Sequence, residues 1–438
     1  MKALLIYLAL GAVMQEGTSP DLSHPWSLAE CTEWALENNL TVASQKLNEE
    51  NKMISENTAR MSWLPSVSGS VGESMNFGRG LGGNNTYEYG NSSSTSFSLG
   101  ANMTLFDGLA TPRRMELAKL NLEAATEDLA KAREDIRIQV AQAYVQILYD
   151  YEIHEVAQRQ VEIDSMQVVR LEGLLANGKA SAAELSQQKA TLSQSRLTQV
   201  QALNNIRSAH LTLMQLLELP FSEEFRVVRP SVAMEDIRIG NPDDIYLDAL
   251  GLRPSVKAEE IRLRSAAKEV EIAKAAYYPS LGLSGGLGTN YYSSFATQGF
   301  MDQLSNNFSQ YLGLTLSIPI FDKFSTRNQV RSAQLQYRSQ EVQLQRARNS
   351  LYKEIQTAWN GAVAARAKWE ASSEAAVAAE DAFKLTEAKY DSGKATLTEF
   401  HEALNRLTKA RSDSVQATYE YIYQTALVEF YRGGALSL

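Results

Sequence analysis

The sequence predicts an α+β, mainly α fold built as an internal duplication, with long antiparallel coiled-coil helices and four amphipathic strands. Three observations carry that expectation. The chain repeats itself at an offset of about 215 residues, far longer than a solenoid unit, so it reads as two copies of one half. Two stretches of roughly 69 residues keep a helical apolar period, several times the usual helix length. Two further regions switch to a period of two, the pattern of strands with one apolar and one polar face.

The repeat is anchored by short strings. Leu105-Phe106-Asp107 returns as Ile320-Phe321-Asp322, and Asn177-Gly178-Lys179-Ala180-Ser181 returns as Ser392-Gly393-Lys394-Ala395-Thr396. Glu184 falls on Glu399, and Trp63-Leu64-Pro65 meets Tyr277-Tyr278-Pro279 with one residue of slippage. The expected divisions are an export signal over 1–22, a first repeat over 23–219, a linker over 220–241 and a second repeat over 242–438.

Each half begins with a segment read as one continuous helix, 27–62 and 242–277, closed by Pro65 and Pro279. Hairpins follow at 66–107 and 280–322. Phe97, Leu99, Ala101, Met103 and Leu105 alternate with Ser96, Ser98, Gly100, Asn102 and Thr104. Leu312, Leu314, Leu316, Ile318 and Ile320 alternate with Gly313, Thr315, Ser317 and Pro319. Strands of about ten residues with that pattern are long enough to cross a bilayer at a tilt. The segments between paired strands, 77–92 and 293–309, are rich in Gly, Asn, Tyr and Ser and read as exposed loops. Gly78-Arg79-Gly80-Leu81-Gly82-Gly83 is not a phosphate loop on this reading, because no helix N-terminus follows it.

The long helices are expected over 109–177 and 324–392, with Pro112 tolerated in a first turn. Val140, Ile147, His154, Val161, Val168 and Leu175 recur every seven residues, a coiled-coil seam. At 1.5 Å per residue such a helix is about 100 Å long. Gly178 and Gly393 then turn the chain into last helices over 180–219 and 395–431. The shorter helices of a half, laid end to end, match the long one in length. One continuous and one broken helix per half therefore pack side by side.

Composition removes several functions. Forty-two basic against 51 acidic residues leave a net charge of −9, which disfavours a nucleic-acid surface. One cysteine, Cys31, and four scattered histidines give neither a disulfide framework nor metal-ligand spacing, and no cofactor is expected. No nucleophile–base pair stands out, so an enzyme is not expected. Lys2, the apolar run Ala3–Met14 and polar Gln15-Glu16 read as an export signal rather than a membrane span. Four strands cannot close a barrel, and open strand edges are not tolerated in lipid. Several copies must then share one barrel, and elementary physics allows two, three or four.

The duplicated order helix–hairpin–long helix–turn–helix has Leu64-Pro65 before the first hairpin, Phe106-Asp107-Gly108 after it and Gly at the helical turns. With these features, residues 27–432 resemble the TolC family of bacterial outer-membrane channels of efflux pumps and type I secretion. That resemblance implies a homotrimer, a shared 12-stranded transmembrane β-barrel and a periplasmic α-barrel. It further implies passive export driven by an inner-membrane pump, joined through a periplasmic adaptor (membrane fusion) protein. Tyr390-Asp391-Ser392-Gly393 resembles the family's Tyr-x-x-Gly turn. Glu399 and Glu402 fall where the family carries carboxylates that narrow the tunnel entrance, with Glu184 the first-half equivalent. Threefold symmetry would make each a ring of like charges, attracting cations and raising the carboxylate pKa. The helix turns Gly178, Lys179, Ala180, Ser181 and Gly393, Lys394, Ala395, Thr396 are the implied adaptor contacts. The family pattern places an Arg two residues after this Gly as a tether; here Ala395 stands there, leaving Lys394 or Lys179 as substitutes. The competing expectation is a soluble coiled-coil scaffold of the envelope, which has no use for lipid-facing strands.

Overall fold

A computed structural model describes residues 24–81, 86–229, 239–293 and 299–436. The export signal expected over 1–22 lies outside the described residues, as do parts of the glycine string at 78–83 and of the linker at 220–241. The helices are α1 (Leu28–Asn38), α2 (Leu40–Met61), α3 (Ala110–Ala176), α4 (Ala182–Leu216), α5 (Pro242–Leu252), α6 (Pro254–Ala275), α7 (Phe300–Asn306), α8 (Ser325–Asp391) and α9 (Leu397–Arg432). The strands are β1 (Ser66–Leu81), β2 (Tyr87–Asp107), β3 (Ser280–Tyr292) and β4 (Ser309–Ser317). The fold is α+β and mainly α, with one four-stranded antiparallel sheet in the order β1-β2-β3-β4.

Both opening helices are broken where one continuous helix was expected. In the first half Asn39 is extended (φ −64°, ψ 129°). Its side-chain amide donates to the Leu216 carbonyl at 2.9 Å, while its Oδ1 accepts from the Thr41 N–H at 2.9 Å and so caps α2. In the second half the break lies at Arg253 (φ −73°, ψ 124°), because a residue before proline is excluded from the helical region. Pro254 then opens α6, where its missing N–H costs nothing.

Register defines two unlike sheet faces. Val67, Leu99, Leu287, Leu312 and Leu314 share one face, through the pairs Val67↔Ala101, Leu99↔Leu287, Gly285↔Leu312 and Leu283↔Leu314. The other face carries Ser68, Ser70, Ser98, Gly100, Ser284, Gly286 and Gly313, through Ser70↔Ser98, Gly100↔Gly286 and Ser284↔Gly313. The apolar face is uncovered in one chain: Val71 is 70% exposed and Leu312 80%. A bulge between Thr104 and Phe106 shifts the β2–β3 register at one end. Strand β4 stops at Ser317, short of the expected Ile320, because Pro319 has no N–H for the ladder. The 293–309 connection, expected as a loop, contains α7. Buried Gln303 fixes it, accepting from the Tyr292 N–H at 2.9 Å and donating to the Tyr292 carbonyl at 3.2 Å.

The chain forms two compact units, and α3 and α8 contribute to both. One unit comprises Ser44–Lys131 and Leu250–Leu351 and holds the sheet. Its helices bury Leu120, Ala124, Leu129, Ala258, Val330 and Leu344, and Arg262 binds both Asp128 and Glu259 at 2.5 Å. The other unit runs up to Ala43, over Ala132–Ala249 and from Tyr352 on. Its interior follows the heptad seam. Val140 and Ile147 are fully buried and Val168 buried, while His154, Val161 and Leu175 are partly covered. Phe225 and Val227 of the linker pack into this unit, with a bridge between Trp26 and Val227. Their neighbours Phe221, Glu223, Glu224, Arg226 and Val228 stay exposed.

Candidate functional site

The two helix turns share one local construction. Gly178 and Gly393 adopt positive φ (+69° and +74°), the left-handed conformation that closes a helix C-terminus. The Lys179 N–H reaches the Leu174 carbonyl at 2.8 Å and the Lys394 N–H reaches the Lys389 carbonyl at 2.8 Å, satisfying the last free carbonyls. Two residues on, Ser181 and Thr396 cap α4 and α9. The duplicated string Gly-Lys-Ala-Ser/Thr-x-x-Glu is thus a stop signal followed by a start signal.

This construction gives Glu184 and Glu399 a definite task. Each stands at the third position of its helix and completes a capping box. The Ser181 N–H donates to Glu184 Oε2 at 2.8 Å, and the Thr396 N–H donates to Glu399 Oε2 at 2.7 Å. The hydroxyls add bonds of 3.1 and 3.0 Å. The backbone N–H bonds, then the hydroxyls, hold both carboxyls below the ordinary glutamate value. The raised pKa expected from a ring of like charges concerns several copies together; within the single chain the cap lowers both groups. Glu402, one turn further along α9, pairs instead with Arg406 at 3.3 Å, both exposed.

Tyr390 lies inward of the turn. Its ring stands 5.0 Å from that of Phe400, which is fully buried with Phe383, Leu404 and Leu407 around it. Burial pushes the Tyr390 hydroxyl above its usual range, opposed by the Arg170 guanidinium. Arg170 sits 4.5 Å above the ring and forms an ion pair with Asp391. Arg170 on α3 thus ties the first helix hairpin to the second through α8. Neither Lys179 nor Lys394, the expected substitutes for the tether, makes an ion pair among the described residues; both side chains are exposed at the turns. Ala180 and Ala395 are partly buried, Gly178, Ser181, Gly393 and Thr396 exposed.

A second link between the hairpins escaped the sequence reading. Asp164 on α3 is fully buried and accepts from Ser195 Oγ at 2.5 Å and Gln160 Nε2 at 3.0 Å, with Gln188 Nε2 at 3.5 Å. His401 Nε2 donates to Gln188 Oε1 at 2.6 Å, and Thr408 Oγ1 donates to Gln160 Oε1 at 2.6 Å. Burial lowers the His401 pKa. The network joins α3, α4 and α9. Nothing in the sequence marks it, since an Asp or Gln on a long helix ordinarily reads as solvated. No group of three or more His, Cys, Asp or Glu suited to a metal occurs among the described residues.

A sheet with one uncovered aliphatic face and one Ser/Gly/Asn face, in a chain otherwise made of helical hairpins, fits the class of outer-membrane channel proteins. The chain belongs to the outer membrane efflux protein family, whose model matches residues 32–218 and 245–432. It is 24% identical over 389 residues to outer membrane efflux protein BepC of Brucella suis biovar 1 (strain 1330), covering 88% of this chain and 79% of that one. Against outer membrane protein TolC of Escherichia coli (strain K12) it is 23% identical over 362 residues, covering 78% and 71%. The Campylobacter jejuni CmeC outer membrane channel shares the fold, with a TM-score of 0.81 at 19% identity over 93% of this chain and 85% of that one. The protein is thus a TolC-family protein of the outer membrane, acting in efflux transport. That identity sets the soluble scaffold aside.

Proposed function

We propose that three copies of this chain form one outer-membrane channel, the exit duct of a tripartite efflux pump or of a type I secretion system. Small molecules or secreted polypeptides pass through it passively. A periplasmic adaptor couples it to an inner-membrane pump, which supplies the energy. In this reading the halves 23–219 and 242–438 are duplicates joined at 220–241, and their helices form a periplasmic tunnel.

One observation carries the reading. In the sheet order β1 and β4 are edges, each with a row of unpaired backbone groups, and one sheet face is aliphatic. Lipid accepts the face and rejects the edges. Pairing β4 of one copy with β1 of the next removes every edge when the ring closes. Three copies give twelve strands, wide enough to leave an aqueous lumen lined by the Ser/Gly/Asn face.

At the helix turns, Glu399, Glu402 and Glu184 with Tyr390 make up the periplasmic gate in this proposal. Gly178–Ser181 and Gly393–Thr396 are the adaptor contacts. The exposed carboxylates at Glu399 and Glu402, three residues apart on one helix, support the first assignment. Exposed turns of fixed backbone geometry support the second. The test is single-channel recording with a trivalent cation on the periplasmic side. Replacing Glu399 and Glu402 together by Ala should raise the concentration needed for half-block by an order of magnitude or more. Unchanged block would refute the gate assignment.

A further inference from the structure

Away from the helix turns and the sheet, a cavity of about 480 Å³ lies where α3, α4 and the segment 221–229 meet. Its walls are aromatic and its rim is cationic. Phe225 is 1% exposed and stands edge-on to His210 (5.9 Å between centroids), which stands edge-on to Tyr151 (5.7 Å). The Tyr151 hydroxyl and His210 Nε2 are 2.9 Å apart, so the polar tips of both rings are already paired. Phe221, 49% exposed on the same wall, offers the stacking surface, and the rim supplies Arg207, Arg226 and Arg229.

The three arginines are unequally committed. Arg229 pairs with Glu155 at 2.6 Å and stacks 4.2 Å above the Tyr151 ring. Arg207 is 3.7 Å from Glu223, and both are well exposed, a pairing worth little in water. Arg226 has no ion pair among the described residues. Burial raises the Tyr151 pKa while Arg229 and Arg226 lower it, so both guanidinium fields reach the cavity wall.

The segment that carries Arg226 is held in place. Trp26 N–H donates to the Arg226 carbonyl at 2.8 Å and the Val228 N–H donates to the Trp26 carbonyl at 2.9 Å. The Tyr144 hydroxyl donates to the Val228 carbonyl at 2.6 Å. A fixed backbone therefore presents an uncommitted guanidinium to an aromatic-walled cavity, on a chain whose net charge is −9.

The geometry points to a binding site for a small aromatic anion. Its flat apolar part lies in the cavity against Phe221 and Ile206, over the paired edges of Tyr151 and His210, and its carboxylate or sulfonate is held by Arg226 and Arg207. The volume suits one small molecule. Planar guanidinium groups match a carboxylate edge, and arginine stacks well on aromatic faces. Occupied, the site joins α3, α4 and the 221–229 segment through one ligand. It is independent of the trimer and gate reading.

The test is isothermal titration calorimetry of the full detergent-purified protein with 2-naphthoate, with the neutral alcohol 2-naphthylmethanol and with inorganic phosphate. The expected result is saturable binding of 2-naphthoate, one per chain, with both comparison compounds at least about 10-fold weaker, a step of about 1.4 kcal/mol. Arg226→Ala and, from a separate element, Arg207→Ala each weaken 2-naphthoate about 10-fold, and Arg226→Lys recovers part of the loss. Binding of the alcohol as tight as the carboxylate overturns the proposal, as does phosphate as tight as 2-naphthoate. Wild-type affinity in both alanine variants, or no saturable binding at all, does the same.

Discussion

Replacing Leu314 by Arg tests the aliphatic sheet face against its opposite. Leu314 lies in the middle of β4, opposite Leu283, and 64% of it is uncovered in the single chain. Fully burying a leucine side chain is worth about 1.5–3 kcal/mol, so contact of this uncovered part with lipid contributes roughly 1–2 kcal/mol. An arginine facing lipid near the bilayer centre costs about 2–4 kcal/mol more. The substitution should therefore destabilise the inserted state by roughly 3–6 kcal/mol per copy, a large fraction of the about 5–15 kcal/mol margin of an ordinary domain. Thr315→Arg is the control, one residue along the same strand on the polar face, opposite Gly282. There the side chain enters water, and the cost should stay under about 1 kcal/mol. The assay is urea-dependent folding into lipid vesicles, with insertion read from gel mobility. Equal effects of the two substitutions, or a larger one for Thr315→Arg, would refute the assignment of faces.

Further consequences concern the helix turns. The Thr396 amide and hydroxyl hold Glu399 below its ordinary pKa, so the contribution is complete above the unfolded value of about 4.3 and is lost as pH falls through the lower folded value. Hydrogen exchange at the start of α9 should therefore quicken below about pH 4, and Glu399→Gln, which keeps the cap, should flatten that dependence. Thr396→Ala removes the cap and should cost about 1 kcal/mol by chemical denaturation. The Arg170–Asp391 pair, with side chains 35% and 59% exposed, should show a coupling of about 0.5–1 kcal/mol in a double-mutant cycle. Arg170→Ala should exceed Asp391→Ala by about the worth of the stack on Tyr390, roughly 0.5–1 kcal/mol. Asp164→Ala takes the acceptor from Gln160 and leaves Ser195 and Gln188 only the Thr191 and Asp164 main-chain carbonyls, and it should cost about 1–3 kcal/mol, measured by denaturant unfolding.

Much of the architecture was legible because it rests on periodicity. A seven-residue seam from Val140 to Val168 and a two-residue alternation from Phe97 to Met103 each follow directly from how side chains project. Glycine at 178 and 393 was readable as a turn because few other residues tolerate that backbone. The break at Asn39 was not readable, since it depends on a carbonyl of Leu216 far along the chain. The break at Pro254 is marked in the sequence, since the residue before a proline leaves the helical region. Helix α7 was masked by its composition, and it is held by contacts to β3, among them the bonds of Gln303 to Tyr292 and of Thr289 to the Leu304 carbonyl.

The candidate site was half legible. Tyr390 follows from the turn motif and Glu399 and Glu402 from the family resemblance, while the capping role of Glu184 and Glu399 is legible in Ser181-x-x-Glu184 and Thr396-x-x-Glu399. Arg170 and Asp164 could not be found from sequence. Their partners Asp391, Ser195 and Gln188 meet them only when the helices fold back on one another, and a polar residue on a helix carries no mark of the face it occupies.

A barrel shared between copies is what the exposed edges of β1 and β4 require. The decisive measurement is native mass spectrometry of the detergent-purified protein, joined to conductance of the same preparation in a planar bilayer. A barrel shared by three copies gives a mass of three chains and stable, ohmic channels, each carried by one trimer. A monomer that inserts no channel, or a channel formed by a single chain, would contradict it.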